Sequence, residues 1–275
     1  MTFEYFDIHS HLDFPDYDKD REEEIKKLKK ERIATITIGT DFQSSKKAVK
    51  LAEEHDNLFA SIGQHPGDLK PDSVFDDRLK VLTENKKVVA IGECGLDYFR
   101  LPLENSSIKL IQKTIFEYHI DLALEIKKPL MLHIRSSQGT QDAYLDALTI
   151  LEHHAKISGN ELKGNAHFFA GDMDILKRLL AIGFSISFTG VITFTRDYDE
   201  LIRYAPLNML MSETDAPFVA PVPHRGKRNS PFYVPEIVKK IADIRSEPLH
   251  KVKEALLDNA LRYIYPVRSP EDWQG

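Results

Sequence analysis

Tyr5-Phe6-Asp7-Ile8-His9-Ser10-His11 stands close to the start of the chain. Apolar Phe3, Tyr5, Phe6 and Ile8 predict a short strand that ends in two histidines one residue apart. Strand side chains alternate faces, so Asp7, His9 and His11 are expected on one face, with His9 and His11 able to grip one cation together. Imidazole nitrogen suits zinc and other first-row divalent ions at roughly 2.0–2.1 Å. A bare H-x-H is more often a pair of histidines on a wet turn. What gives it weight is the rest of the chain.

Apolar, β-branched runs of strand length recur at 33–38, 58–62, 88–91, 130–133, 164–169, 184–188 and 209–212. Helical patterns lie between them, at 18–30, 44–55, 71–84, 104–126, 141–154, 172–182 and 197–204, with two more at 235–245 and 249–263. Alternating strand and helix implies a parallel sheet, and eight such units in 275 residues imply an α/β fold, a closed (β/α)8 TIM-type barrel spanning residues 1–275 as a single domain. A doubly wound sheet is the alternative, but no G-x-G-x-x-G follows any strand.

Composition narrows the class. With 42% hydrophobic and 29% charged residues the chain has ordinary soluble composition and ample core. No apolar run approaches the ~18 residues of a membrane span, and no signal peptide is recognised, so no membrane partner is expected. A single cysteine, Cys94, excludes an internal disulfide and fits a cytoplasmic location. A net charge of −6 argues against a broad basic face that grips duplex DNA. No obligate protein partner is predicted.

The strand ends carry the chemistry. His9 and His11 close the first strand, His65 follows the third, and Glu93 ends the fourth. His133 ends the fifth, His167 the sixth, and Asp215 follows the eighth. Barrel enzymes gather their chemistry where the C-terminal strand ends converge. Any one of these side chains alone reads as a carbonyl cap, an ion-pair partner or a helix cap, but the set reads as a metal site at the mouth. Two histidines and an aspartate make a tripod for one divalent ion, two more histidines serve a second, and Glu93 is placed to bridge. Two ions about 3.5–4 Å apart can clamp both the attacking and leaving oxygens of a phosphoryl centre, with bound water brought towards pKa ~7. His55, His119, His153, His154, His224 and His250 fall on helices or loops and read as structural, as does Cys94.

In order along the chain, Asp7-Ile8-His9-Ser10-His11, Gly92-Glu93-Cys94-Gly95-Leu96-Asp97-Tyr98, Leu132-His133-Ile134-Arg135, Ala166-His167-Phe168, Glu213-Thr214-Asp215-Ala216-Pro217 and Arg225-Gly226-Lys227-Arg228-Asn229 together resemble the TatD family of metal-dependent deoxyribonucleases. The resemblance implies a (β/α) barrel of the amidohydrolase-like group. It implies one ion at His9, His11, Glu93 and Asp215, a second at Glu93, His133 and His167, and magnesium, manganese or zinc in those places. It further implies hydrolysis of DNA phosphodiesters from the 3′ end of single strands. Asp215 is the expected general base acting on a metal-activated hydroxide, with Glu93 as bridge. His65 or Arg135 is expected at the scissile phosphate or leaving oxygen, and Arg225, Lys227 and Arg228 on the DNA backbone. Tyr98 and Phe218 are candidate stacking surfaces for an unpaired base of a single-stranded or frayed end. An ester or amide hydrolase, such as a D-aminoacyl-tRNA deacylase, is the alternative on the same site. Many amide enzymes of this group bridge their ions with a fourth-strand lysine, and this strand ends in Glu93 instead. A non-catalytic binding barrel ranks last, because no candidate ligand is missing.

Overall fold

In parallel sheets covered on both faces, strands read as continuous apolar runs. A computed structural model, which describes residues 2–101 and 106–265, turns those runs into eight strands that pair in sequence order, each parallel to the next. They are β1 (Tyr5–Ser10), β2 (Ile33–Ile38), β3 (Leu58–Ile62), β4 (Val88–Asp97), β5 (Leu130–Arg135), β6 (Gly164–Ala166), β7 (Ser185–Phe188) and β8 (Leu210–Ser212). The helices between them are α1 (Arg21–Lys30), α2 (Phe42–Glu54), α3 (Leu79–Leu82), α4 (Ser106–Glu125), α5 (Asp142–Ser158), α6 (Met173–Ala181) and α7 (Asp199–Tyr204), followed by α8 (Val234–Arg245) and α9 (Leu249–Ile264). The segment after β8 closes the ring onto β1. Asp215 N–H donates to His9 O at 2.9 Å and His11 N–H to Ala216 O at 2.7 Å. This is the (β/α)8 barrel expected from the sequence.

Apolar helix faces cover the barrel wall. Leu28 of α1, Leu51 of α2, Phe116 and Ile120 of α4, Tyr144 of α5 and Ile237 of α8 share one buried cluster with the strands. A second cluster joins Phe6, Ile36, Phe59, Met131 and Met211 to Tyr263 and Ile264 of α9. There Tyr263 Oη donates to Leu130 O at 2.7 Å and Asn259 Nδ2 to Leu210 O at 2.7 Å, so α9 ties together the starts of β5 and β8. One end of the barrel is thus anchored and apolar, which leaves polar side chains to collect at the other. No helix among the described residues is long and apolar enough to cross a membrane.

Three expectations about element limits change. Of the helix expected at 71–84 only Leu79–Leu82 is helical. The Gln64 side chain explains this: its Nε2 donates to Val74 O at 3.1 Å and its Oε1 accepts from Asp76 N–H at 2.7 Å, holding that backbone as a loop. β4 runs on past Ile91 to Asp97. β6 stops at Ala166 rather than Phe169, because Phe168 turns into the left-handed region at φ 43°. The expected start of the fourth helix at Glu104 lies outside the described residues.

Candidate metal centre

The extension of β4 depends on two glycines. Gly92 and Gly95 have φ of 144° and 134°, and a Cβ on them would lie 2.2 Å from Met131 O and His133 O respectively. Only glycine permits this contact with β5. It sets Glu93 beside His133.

Glu93 is buried, and its two oxygens face different groups. Oε2 lies 3.6 Å from His9 Nε2 and 3.8 Å from His11 Nε2. Oε1 lies 2.8 Å from His133 Nδ1, 3.0 Å from His167 Nε2 and 3.6 Å from His65 Nε2. Asp215 Oδ1 completes the first group, 3.5 Å from His11 Nε2 and 3.7 Å from His9 Nε2, and those two nitrogens are 3.3 Å apart. An ion with ligands at roughly 2.1 Å has neighbouring ligands about 3.0 Å apart if octahedral and about 3.4 Å if tetrahedral. The observed spacings match such edges closely enough for both groups to hold a cation with small side-chain adjustments. All seven strand-end side chains named from the sequence come together here.

Hydrogen bonds on the far side of the His11, His133 and His65 rings fix which nitrogen is free. His11 Nδ1–H donates to Ile38 O at 3.1 Å, so its Nε2 lone pair faces the cluster. His133 is reversed: its Nε2 meets Asp97 Oδ2 at 3.0 Å, and Nδ1 faces Glu93. His9 and His167 turn their Nδ1 atoms towards Glu213. His65 differs from all four. Its Nδ1 accepts from Gly67 N–H at 3.0 Å, so in the neutral ring the proton sits on Nε2 and points into the site. His11 and His133 therefore turn lone pairs into the cluster, His9 and His167 turn Nε2 towards Glu93, and His65 offers a proton.

Protons compete with a cation for these nitrogens. Burial alone would raise the Glu93 carboxyl, but the four histidines around it, His65, His167, His9 and His133, hold it well below the usual range. Burial opposes charging of His167 too, yet Glu93 and Glu213 hold it well above the ordinary histidine value. Burial pushes His65 down to about 4, helped by the neighbouring His133, which keeps the ring neutral at physiological pH. A packed set of acids and bases like this exchanges protons for cations readily.

Several neighbours carry roles the sequence reading did not assign. Asp97 orients His133, and its place two pleats beyond Glu93 on β4 was the available signal. Asp7, expected on the face of His9 and His11, instead accepts from Thr214 N–H at 2.9 Å and Thr214 Oγ1 at 2.5 Å, latching β1 to the segment that carries Asp215. His119 of α4 accepts from Gln64 N–H at 3.0 Å and so fixes the residue before His65.

Around the mouth the picture is mixed. Tyr98, a candidate stacking surface, is fully buried with its hydroxyl on Asp146 at 2.9 Å, and so offers no face to a base. Phe99, next to it, is exposed and lies under the Arg135 guanidinium at 3.8 Å. Phe194 is exposed and carries Arg225 at 3.5 Å, and Phe218 is exposed as expected. Arg228 is committed elsewhere: it forms two bonds to Asp20, at 2.6 and 2.8 Å, and stacks over Tyr17. Burial raises the Cys94 thiol well above its ordinary range, in keeping with a packing role.

A barrel that collects histidines and carboxylates in this way at its mouth has the architecture of a metal-dependent hydrolase, and its relatives carry that description. The chain is 36% identical over 263 residues to the uncharacterized metal-dependent hydrolase YabD of Bacillus subtilis, covering 94% of this chain and 97% of that protein. It is 34% identical over 267 residues to the uncharacterized metal-dependent hydrolase YcfH of Escherichia coli, with 94% and 95% covered. Among solved structures, the TatD homologue YjjV of Escherichia coli superposes with a TM-score of 0.80 at 26% identity, over 96% of this chain and 99% of that one. Residues 6–265 match the model of the TatD related DNase family, and the chain belongs to that family.

Proposed function

We propose that this hydrolase cleaves DNA phosphodiester bonds with two divalent ions, bridged by Glu93, acting on single-stranded or frayed 3′ ends. The observation that carries the proposal is the division of labour within one carboxylate, Oε2 towards His9 and His11 and Oε1 towards His133 and His167. His9, His11, Glu93 and Asp215 would hold one ion, and Glu93, His133 and His167 the other. Magnesium, manganese or zinc bound there would draw charge from the phosphoryl oxygens and lower the pKa of water to about 7.

The chain's own groups do the rest. Asp215 faces the first group from the end of β8 and accepts the proton of the attacking water. Its backbone is held by the His9 carbonyl in a left-handed conformation, φ 55°, which an aspartate tolerates better than most residues. His65 presents Nε2–H to the leaving oxygen. Arg135 and Arg225 meet backbone phosphates, and Phe99, Phe194 and Phe218 offer faces on which unpaired bases stack, at about 1–3 kcal/mol each. Lys227 adds charge on the same loop as Arg225. Membership of the TatD related DNase family supports the choice of DNA. The cytoplasm is the compartment proposed for the reaction.

The test is nucleotide release from end-labelled single-stranded DNA with magnesium, manganese or zinc. Release that proceeds from the 3′ end and is abolished in Glu93→Ala supports the proposal. Undiminished release from that variant, or hydrolysis of aminoacyl-tRNA esters with no cleavage of DNA, overturns it.

A further inference from the structure

Three buried polar atoms beneath the cluster lack a hydrogen-bond partner: His9 Nδ1, His167 Nδ1 and Glu213 Oε2. They face one another. Glu213 Oε2 lies 3.3 Å from His167 Nδ1 and 4.0 Å from His9 Nδ1. The two imidazoles are stacked, with centroids 3.8 Å apart and planes within 7°, so their Nδ1 edges lie side by side. Their Nε2 atoms point to different ends of Glu93, His9 at Oε2 and His167 at Oε1. Glu213 is wholly buried, so it touches no substrate, and its other oxygen is held by Phe168 N–H.

We propose that Glu213 is a positioning residue for both ion sites at once. One buried carboxylate oxygen receives the Nδ1 protons of His9 and His167, which fixes both tautomers and presents one Nε2 lone pair to each ion. The inference rests on the two-ion proposal above and adds a coupling to it: the sites share a support below as well as a bridge above. Unpaired buried polar atoms are costly, and this contact is where a slight closure, from 3.3 and 4.0 Å, satisfies all three together. Sequence pattern supplies the carboxylate, because Glu213 stands two residues before Asp215 in the extended segment that ends β8.

The isosteric variant separates this role from a merely structural one. In Glu213→Gln the amide oxygen can still accept from Phe168 N–H, but the second oxygen has become an NH2 group that donates where an acceptor is required. Competition of zinc against a chromophoric chelator, with circular dichroism to verify folding, reads stoichiometry and affinity without reference to catalysis. Wild type is expected to take up two ions, and Glu213→Gln to bind both about 10- to 100-fold more weakly, the usual effect of removing such a support. Glu213→Asp, which retracts the carboxylate by one methylene, is expected to weaken both as well. Affinities equal to wild type in the glutamine variant, or weakening confined to one ion, overturn the inference while leaving the two-ion proposal intact. Uptake of fewer than two ions by wild type defeats that proposal instead. A measurement on the wild type needs no variant: in long-range 15N–1H spectra of the zinc-loaded protein, His9 and His167 should both show hydrogen-bonded Nδ1–H protons, and their absence from either ring overturns the coupling.

Discussion

Replacing Asp97 with asparagine should weaken one ion and spare the other. Asp97 Oδ2 lies 3.0 Å from His133 Nε2, while Oδ1 accepts from Phe99 N–H at 3.0 Å. The carboxylate thus receives two protons on two oxygens, and it is held below its usual range despite burial because His133 bonds to it. An asparagine has one acceptor for those two donors. If it keeps Phe99 N–H, its NH2 faces His133 Nε2 and drives the ring proton to Nδ1, the atom 2.8 Å from Glu93 Oε1. The proposed ion at Glu93, His133 and His167 would then lose a ligand lone pair. Removing such supports costs about 10- to 100-fold in metal affinity, roughly 1.4–2.8 kcal/mol. Stepwise chelator competition with manganese or zinc should show one site weakened by that factor. The other, at His9, His11 and Asp215, should stay within about threefold, since Asp97 contacts none of them. Two unchanged sites, or two equally weakened ones, would refute the division of ligands.

His119 gives a pH dependence away from the metal ligands. Burial lowers its pKa to about 4, so the unfolded chain, with a value near 6.5, binds the proton more readily. Its contribution to stability is complete above pH 6.5 and is lost as pH falls towards 4, which amounts to about 2 kcal/mol between pH 7 and pH 5. Urea unfolding at the two pH values should show that part of the loss in wild type and not in His119→Gln, and equal losses would contradict it. Phe99→Ala should raise KM for single-stranded DNA by about 5- to 150-fold, the equivalent of one stacked base, with little change in melting temperature. Tyr98→Phe should do the reverse, leaving KM alone while costing about 1–3 kcal/mol of stability through the lost bond to Asp146.

The barrel and its mouth cluster were legible because both repeat. Parallel strands buried on two faces must be apolar throughout, and side chains that meet at a barrel mouth must sit at strand ends, so His9, His11, Glu93, His133, His167 and Asp215 could be found by position. Supports were less legible. Glu213 and Asp97 act through the far edges of rings that come from other strands, and no spacing in the chain links Glu213 to His9. The β1–β2 register shifts between Asp7 and Ser10, which breaks the alternation that placed Asp7 with His9 and His11, and its carboxylate is spent on Thr214, a contact across 207 residues. Residues 71–78 read as helix from the sequence because Gln64, which holds Val74 and Asp76, lies outside the window in which a helical pattern is judged. Tyr98 and Phe99 show the same limit: adjacent aromatics give equal signals, and only packing decides that one is buried under Asp146 and the other left at the surface.

The central claim is that one buried glutamate bridges two cations. Crystals of the manganese-loaded protein, measured at the manganese absorption edge, would address it directly. The expected map has two anomalous peaks about 3.5–4 Å apart, each about 2.1–2.2 Å from a different oxygen of Glu93. A single peak, or two peaks of which one lies outside coordination distance of Glu93, would contradict it.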